Sequence, residues 1–214
     1  MIQVFVVDDH PLVRMGLRWV LESQEDIRVI GEAGSGIEAV AVVPHLNPDV
    51  VLCDFRLPDW DGLEVVRRLL RQNGSQRILV VSVVDSGPVP RQLLAAGALG
   101  YVSKARDGNV VVRAVREVAA GRRFLDDALA GKILFGASPF DRLSARELEV
   151  ALMIIQGQSN KEIAQMLAIA TPTVRTLRSR MLAKLGVRGE VALVRLAIDC
   201  GLFPSGRDAL GRDA

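Results

Sequence analysis

Asp49-Val50-Val51-Leu52-Cys53-Asp54-Phe55-Arg56-Leu57-Pro58-Asp59-Trp60-Asp61-Gly62 is the stretch on which the fold turns. Its four consecutive apolar residues are too few for a helix and read as a strand buried on both faces, the habit of a parallel sheet. Such a strand delivers Asp54 to its carboxyl end, the edge where open parallel sheets bind ligands. A second apolar strand, Ile2-Gln3-Val4-Phe5-Val6-Val7, delivers Asp8-Asp9 in the same way. If the two strands are neighbours, three carboxylates converge, and they stay ionised together only at a cost unless a cation is shared among them. A hard ion such as Mg2+, which prefers oxygen ligands and often brings phosphate with it, suits that set.

Outward from these strands the pattern repeats. Strand-like runs Ile2 to Val7, Ile27 to Ala33, Val50 to Cys53, Ile78 to Val83 and Gly100 to Val102 alternate with amphipathic runs at Pro11 to Glu22, Ile37 to His45, Leu63 to Gln72, Val89 to Ala96 and Gly108 to Ala120. Five strand-helix repeats predict an open α/β domain over residues 1–120, a five-stranded parallel sheet of flavodoxin-like type with helices on both faces. Asp9-His10-Pro11 places a cap residue ahead of a first-turn proline, and Asp61-Gly62 opens the next-but-one helix.

Residues 121–142 are mixed in character and read as a linker, with a short helix expected from Asp126 to Leu134. From 143 to 203 the pattern is all helix. Ser144 with Glu147 forms a capping box, Gly157 closes that helix, Asn160 to Leu167 is a short helix, Thr171-Pro172 opens another to Leu185, and Gly189 to Cys200 supplies the last. Turns this short predict a helix-turn-helix. The Gly-, Arg- and Asp-rich stretch 204–214 has no periodicity and is expected to be a mobile tail.

Charge divides along the same line. The formal net charge of +2 combines −2 over residues 1–120 (13 basic, 15 acidic) with +4 over 121–214 (14 basic, 10 acidic), so the second half is the candidate for a polyanionic partner. Hydrophobic residues at 50% support packed cores. Two cysteines, one inside the central strand, make no disulfide framework and fit a reducing cytosol. No leader pattern or long apolar run indicates secretion or membrane spanning.

Asp8-Asp9, Asp54, the Pro58-x-x-Asp61-Gly62 turn, Ser82, and Gly100-Tyr101-Val102-Ser103-Lys104 stand in the order and spacing of the response-regulator receiver domain, which residues 2–120 resemble. The resemblance implies that Asp54 is a phosphoacceptor, that Asp9, Asp54 and the backbone carbonyl of Arg56 ligate Mg2+ with Asp8 acting through water, and that Lys104 pairs with a phosphoryl oxygen. It also implies a switch pair, Ser82 and Tyr101. The chemistry stands without the family: a carboxylate attacks phosphorus poorly unless the group is held in line and its charge neutralised. Ala105 stands where proline is frequent, and Trp60 occupies the turn after Pro58. His10 reads as a helix-start residue rather than a ligand. Arg56 and Val84 are expected to narrow water's approach to the acyl phosphate.

Leu143 to Glu147, Gly157 to Ala164, Thr173 to Thr176 and Lys184 to Val187 resemble the LuxR-type helix-turn-helix of the NarL/FixJ subfamily. That implies a recognition helix over Thr171 to Leu185 and dimerisation through the last helix. On a helical wheel Val174, Leu177, Met181 and Leu185 share one face and Arg175, Thr176, Ser179 and Ala183 the opposite one. The first set is expected to be buried and the second to enter a groove. Five basic residues and no acid occur from Thr171 to Arg188. Arg175 is the best base-reading candidate, since a guanidinium can bond a guanine edge with two donors. Arg178, Arg180, Lys184 and Lys161 are assigned to phosphates, with Thr173, Thr176 and Ser179 also facing DNA.

The loop Val83-Val84-Asp85 with Pro88 and Pro90, the run Arg91 to Ala98, and Ser138-Pro139-Phe140-Asp141 further resemble the GacA/UvrY group of global regulators. That likeness implies a hybrid sensor histidine kinase as phosphoryl donor and control of small regulatory RNA genes. The reading is a cytoplasmic, phosphorylation-dependent transcriptional regulator that binds double-stranded promoter DNA as a homodimer and is no enzyme beyond its own phosphoryl chemistry. Two rivals are a constitutive DNA binder with a vestigial receiver and an Mg2+-dependent aspartyl-phosphate phosphohydrolase. The second usually needs an aspartate two residues past its nucleophile, where Arg56 stands.

Overall fold

The computed structural model describes residues 1–84, 87–126, 129–131, 138–200 and 202. The chain divides into two compact units, the first made of most of residues 1–131 and the second chiefly of residues from 132 onward. The expected tail 204–214 lies outside the described residues, as does most of the short helix expected at Asp126 to Leu134.

In the first unit, strands β1 (Ile2–Val7), β2 (Ile27–Ala33), β3 (Val50–Cys53), β4 (Ile78–Ser82) and β5 (Gly100–Ser103) alternate with helices α1 (Pro11–Glu22), α2 (Gly36–Leu46), α3 (Gly62–Gln72), α4 (Pro88–Ala95) and α5 (Gly108–Ala119). The sheet has six strands, not the expected five: β6 (Phe124–Leu125) pairs parallel with β5 at the edge, inside the stretch read as linker. Sheet order is β2-β1-β3-β4-β5-β6, all parallel. Val4 to Val7 and Val50 to Cys53 are at most 1% exposed, which explains why neither run alternates with polar residues. On one face Val4, Val6, Val50 and Leu52 pack with Val111, Val115 and Val118 of α5 and Leu21 of α1 in one core.

Register places the chemistry. Val7 of β1 is level with Cys53 of β3, so the next residues, Asp8 and Asp54, emerge side by side. Ser82 is level with Ser103 across β4 and β5, which brings Lys104 out beside the same edge.

Some helix starts carry a side-chain cap and others do not. Ser35 caps α2 by accepting from the Glu38 amide. At α1 the cap position is His10, whose side chain makes no capping bond, so Pro11 alone marks the start.

The second unit opens with a 3-10 turn, Pro139–Arg142, followed by α6 (Ala145–Ile155), α7 (Asn160–Met166), α8 (Thr171–Leu185) and α9 (Glu190–Asp199). Reciprocal capping boxes begin α6 (Ser144 with Glu147) and α7 (Ser159 with Glu162). Phe140, Leu148, Ile163, Val174, Met181, Leu193 and Ala197 are fully buried in this unit. Among the described residues no helix is long and apolar enough to cross a membrane.

Asp61 caps α3 through Oδ1, which accepts from the Glu64 amide at 2.9 Å, while its buried Oδ2 has no hydrogen-bond partner. Burial pushes this carboxyl up from 3.8 to about 6. A folded-state pKa above the unfolded one means the native chain holds the extra proton, so stability falls as pH climbs from about 4 through about 6. Asn caps as well as Asp and cannot ionise. Asp61→Asn is therefore expected to gain about 1–3 kcal/mol over wild type near neutral pH, the gain shrinking toward pH 4. Thermal or urea unfolding across that range checks it; a pH-independent difference would contradict it.

Candidate phosphoacceptor site and DNA-facing helix

The first unit gathers its polar groups at the carboxyl end of β1, β3, β4 and β5. Asp8 is 1% exposed and Asp54 4% exposed, burial that carboxylates tolerate only when paired. The partner is one ammonium: Lys104 Nζ lies 2.6 Å from Asp8 Oδ2 and 2.5 Å from Asp54 Oδ2. Burial raises the Asp54 carboxyl above its usual range, with Lys104 working against it. Burial would lower the Lys104 ammonium, but Asp54 and Asp8 outweigh it and hold the group charged. Next door, burial reinforced by Asp54 and Asp8 pushes the Cys53 thiol up, leaving it an unreactive core residue.

Each carboxylate is also tied to the backbone. Asp54 Oδ1 accepts from the Phe55 amide at 2.6 Å, and Asp8 Oδ1 from the His10 amide at 2.9 Å. Arg14 reaches back from α1 to the Asp8 carbonyl at 2.6 Å while holding Glu32 at 3.2 Å. This support has no sequence signal, because nothing local marks Arg14 apart from other helix-surface arginines. Asp9 is half-buried; its Oδ1 lies 2.6 Å from His10 Nδ1 without hydrogen-bond alignment and is buried with no donor. Ligand atoms of Asp8, Asp9 and His10 lie within 4.8 Å of one another. An orphaned buried carboxylate oxygen among hard oxygen donors fits a divalent cation such as Mg2+.

Arg56 is half-buried, and its guanidinium acts electrostatically on both Asp54 and Tyr101. Ser82 is fully buried, and its hydroxyl accepts from the Val84 amide at 3.3 Å. Tyr101 is also fully buried, not on the surface, and its hydroxyl donates to the Val84 carbonyl. Both side chains thus end on the same residue, Val84, just past β4.

The α3 start closes the floor. The Gly62 amide donates to the Phe55 carbonyl at 2.7 Å, and a Cβ on Gly62 would meet the Asp54 carbonyl oxygen at 2.6 Å and Phe55 Cα at 2.7 Å. Only glycine permits that approach. Asp59, which the sequence did not single out, accepts from the Gly36 and Ile37 amides at 2.8 and 2.7 Å, pinning the loop to the start of α2. Trp60 stacks under the Arg68 guanidinium at 4.0 Å.

In the second unit α8 presents the expected face. Val174 and Met181 are buried, Leu177 and Leu185 half-buried, and Thr173, Arg175, Thr176, Ser179, Arg180 and Ala183 exposed. Lys161 is exposed on α7. Two cations assigned to phosphates are engaged within the unit: Lys184 Nζ lies 2.6 Å from Glu147 Oε2, and Arg178 Nη2 2.9 Å from Glu190 Oε1.

A buried aspartate held under a lysine at a parallel-sheet edge, joined to a helix-turn-helix with a basic exposed face, defines the class. Residues 4–116 match the response regulator receiver domain, and residues 141–197 match the bacterial regulatory proteins of the luxR family. The chain therefore belongs to the response regulators, combining a receiver with a LuxR-type DNA-binding domain in a phosphorylation-dependent transcription regulator.

Among particular relatives, it is 39% identical to the response regulator GacA of Pseudomonas protegens over 208 residues, covering 94% of this chain and 98% of that one. It is 40% identical to the response regulator UvrY of Escherichia coli K12 over 209 residues, covering 94% and 96%. Among solved structures it is similar to RcsB from Salmonella enterica serovar Typhimurium, bound to promoter rprA with the phosphomimetic BeF3-. That match has a TM-score of 0.79 at 27% identity over 92% of this chain and 98% of that one.

Gly62→Ala is expected to displace the Asp54-Phe55 backbone, costing about 1–3 kcal/mol in stability and slowing phosphorylation by acetyl phosphate at least roughly tenfold. The rate measured on phosphate-affinity gels checks this; an unchanged rate would contradict it.

Proposed function

We propose that Asp54 accepts phosphoryl from the phosphohistidine of a hybrid sensor histidine kinase, and that the phosphorylated chain dimerises on promoter DNA. The observation that carries the acceptor assignment is the single ammonium shared by Asp8 and Asp54. In the transfer, an Asp54 oxygen bonds to phosphorus as the P–N bond of the donor breaks. Lys104, already at hydrogen-bond distance, turns from carboxylate to phosphoryl oxygen. Asp9, Asp54 and the Arg56 carbonyl, with Asp8 acting through water, would hold Mg2+, which would supply charge neutralisation at the phosphoryl oxygens when bound. Ser82 gives up the Val84 amide to donate its hydroxyl to the new group. Tyr101, fastened to the Val84 carbonyl, registers the shift, so Val84 joins the two switch residues.

On the DNA side Arg175 reads bases, with Thr173, Thr176 and Ser179 beside it, and Lys161 and Arg180 hold phosphates. Phosphorylation can move the equilibrium toward the DNA-binding form only as far as its differential contacts allow. Residues 121–142 connect the two domains, with Phe124–Leu125 contributed to the sheet of the first and Pro139–Arg142 opening the second. In this reading the protein works in the cytoplasm and has small regulatory RNA genes as targets, the latter resting on the sequence resemblance to the GacA/UvrY group alone.

Purified protein with divalent cation and acetyl phosphate is expected to take up about one phosphoryl group per chain. Asp54→Ala should take up none, and chelation of the metal should stop labelling of the wild type. Labelling of Asp54→Ala equal to wild type would overturn the acceptor assignment, and repeated turnover of small phosphomonoesters would favour a phosphohydrolase.

A further inference from the structure

Of the cations on α8, two stand apart. On a wheel of 100° per residue, Arg175, Thr176, Ser179 and Ala183 span one exposed arc. Lys184 and Arg178 fall on its opposite flanks, each more than about 100° from its centre. Each flank meets a neighbouring helix, and each cation meets an acid there.

The Lys184 contact is the stronger. Glu147 is 3% exposed, and its Oε2 accepts from the Ser144 amide at 2.8 Å, the Ser144 hydroxyl at 2.9 Å and Lys184 Nζ at 2.6 Å. A buried carboxylate with three donors on one oxygen is far more constrained than an exposed surface pair, whose contribution is small. The contact also joins the start of α6 to the last turn of α8. Arg178 reaches Glu190, the first residue of α9. By contrast Lys161, Arg175 and Arg180 make no ion pair among the described residues.

We infer that Lys184, through Glu147, is a positioning residue that fixes the tilt of the groove-entering helix rather than a phosphate contact, with Arg178 and Glu190 as a second, more exposed brace. The inference rests on α8 being the helix that meets DNA. It inverts a simple electrostatic expectation. Removing an acid from a DNA-binding surface normally tightens binding, because it removes repulsion of phosphate. Removing Glu147 should instead loosen it.

The test uses the full-length chain and duplexes selected from random sequence by the wild type. Affinity is measured over a range of salt concentrations, at a temperature where circular dichroism shows every variant folded. Gln preserves a capping box, so Glu147→Gln removes the ion pair without opening α6. Glu147→Gln and Lys184→Gln should each weaken binding about tenfold, and the double variant no further than either alone, the signature of a coupled pair. Lys184→Arg, which keeps the pair, should restore affinity. The slope of log affinity against log salt should stay at the wild-type value for both single Gln variants, whereas Arg180→Gln should reduce it by about 0.9, one phosphate contact.

Tighter binding by Glu147→Gln, or a slope lowered by Lys184→Gln, would overturn the positioning role. Unchanged binding by Arg175→Ala would instead remove the reading of α8 on which it rests.

Discussion

Two carboxylates that the sheet register forces side by side, and the one ammonium that reconciles them, are the constraint from which the first domain's architecture follows. Their oxygens touch one nitrogen at 2.6 and 2.5 Å, so the two like charges lie no more than about 5 Å apart and repel by at least roughly 3 kcal/mol at an effective dielectric near 20, on top of the cost of burying each. Lys104 offsets that repulsion only because β5 lies two strands from β3 and ends at the same edge. The same pairing makes the site responsive. A group whose charge is balanced by one shared cation changes all its contacts when a further anion arrives. The residues proposed to sense that change, Ser82 and Tyr101, both already terminate on Val84.

The second domain applies ionic pairing to orientation instead of to chemistry. Val174 and Met181 bury one face of α8 in the apolar core, and the ion pairs grip its flanks. Capping boxes fix where α6 and α7 begin, and the Glu147 carboxylate serves at once as cap and as anchor for Lys184. Among the described residues Lys161, Arg175 and Arg180 make no ion pair, which suits a surface proposed to exchange water for phosphate.

Much of this was legible in the sequence, for identifiable reasons. Uninterrupted Val-, Ile- and Leu-rich runs can belong only to strands covered on both faces, and β1 and β3 occupy the expected residues. The β6 strand escaped because two residues, Phe124 and Leu125, have no periodicity and follow a Gly-Arg-Arg break. The helix face of α8 was predictable from a period of 3.6, but the fates of Lys184 and Arg178 were not. Their partners Glu147 and Glu190 lie on other helices, and a wheel cannot show them. Asp59 pinning the α2 start across 23 positions and Arg14 holding the Asp8 carbonyl are invisible for the same reason. Conversely, Tyr101 in β5 could have been a surface aromatic by pattern alone, whereas it is completely buried with its hydroxyl on the Val84 carbonyl.

The most direct measurement is the affinity of the full-length chain for its selected duplex, taken before and after addition of beryllofluoride with Mg2+, for wild type and Asp54→Ala together. The account predicts tighter binding on addition for the wild type and no change for the variant. Equal affinities in both states of the wild type would sever the carboxylate cluster from the DNA-binding helix and contradict it.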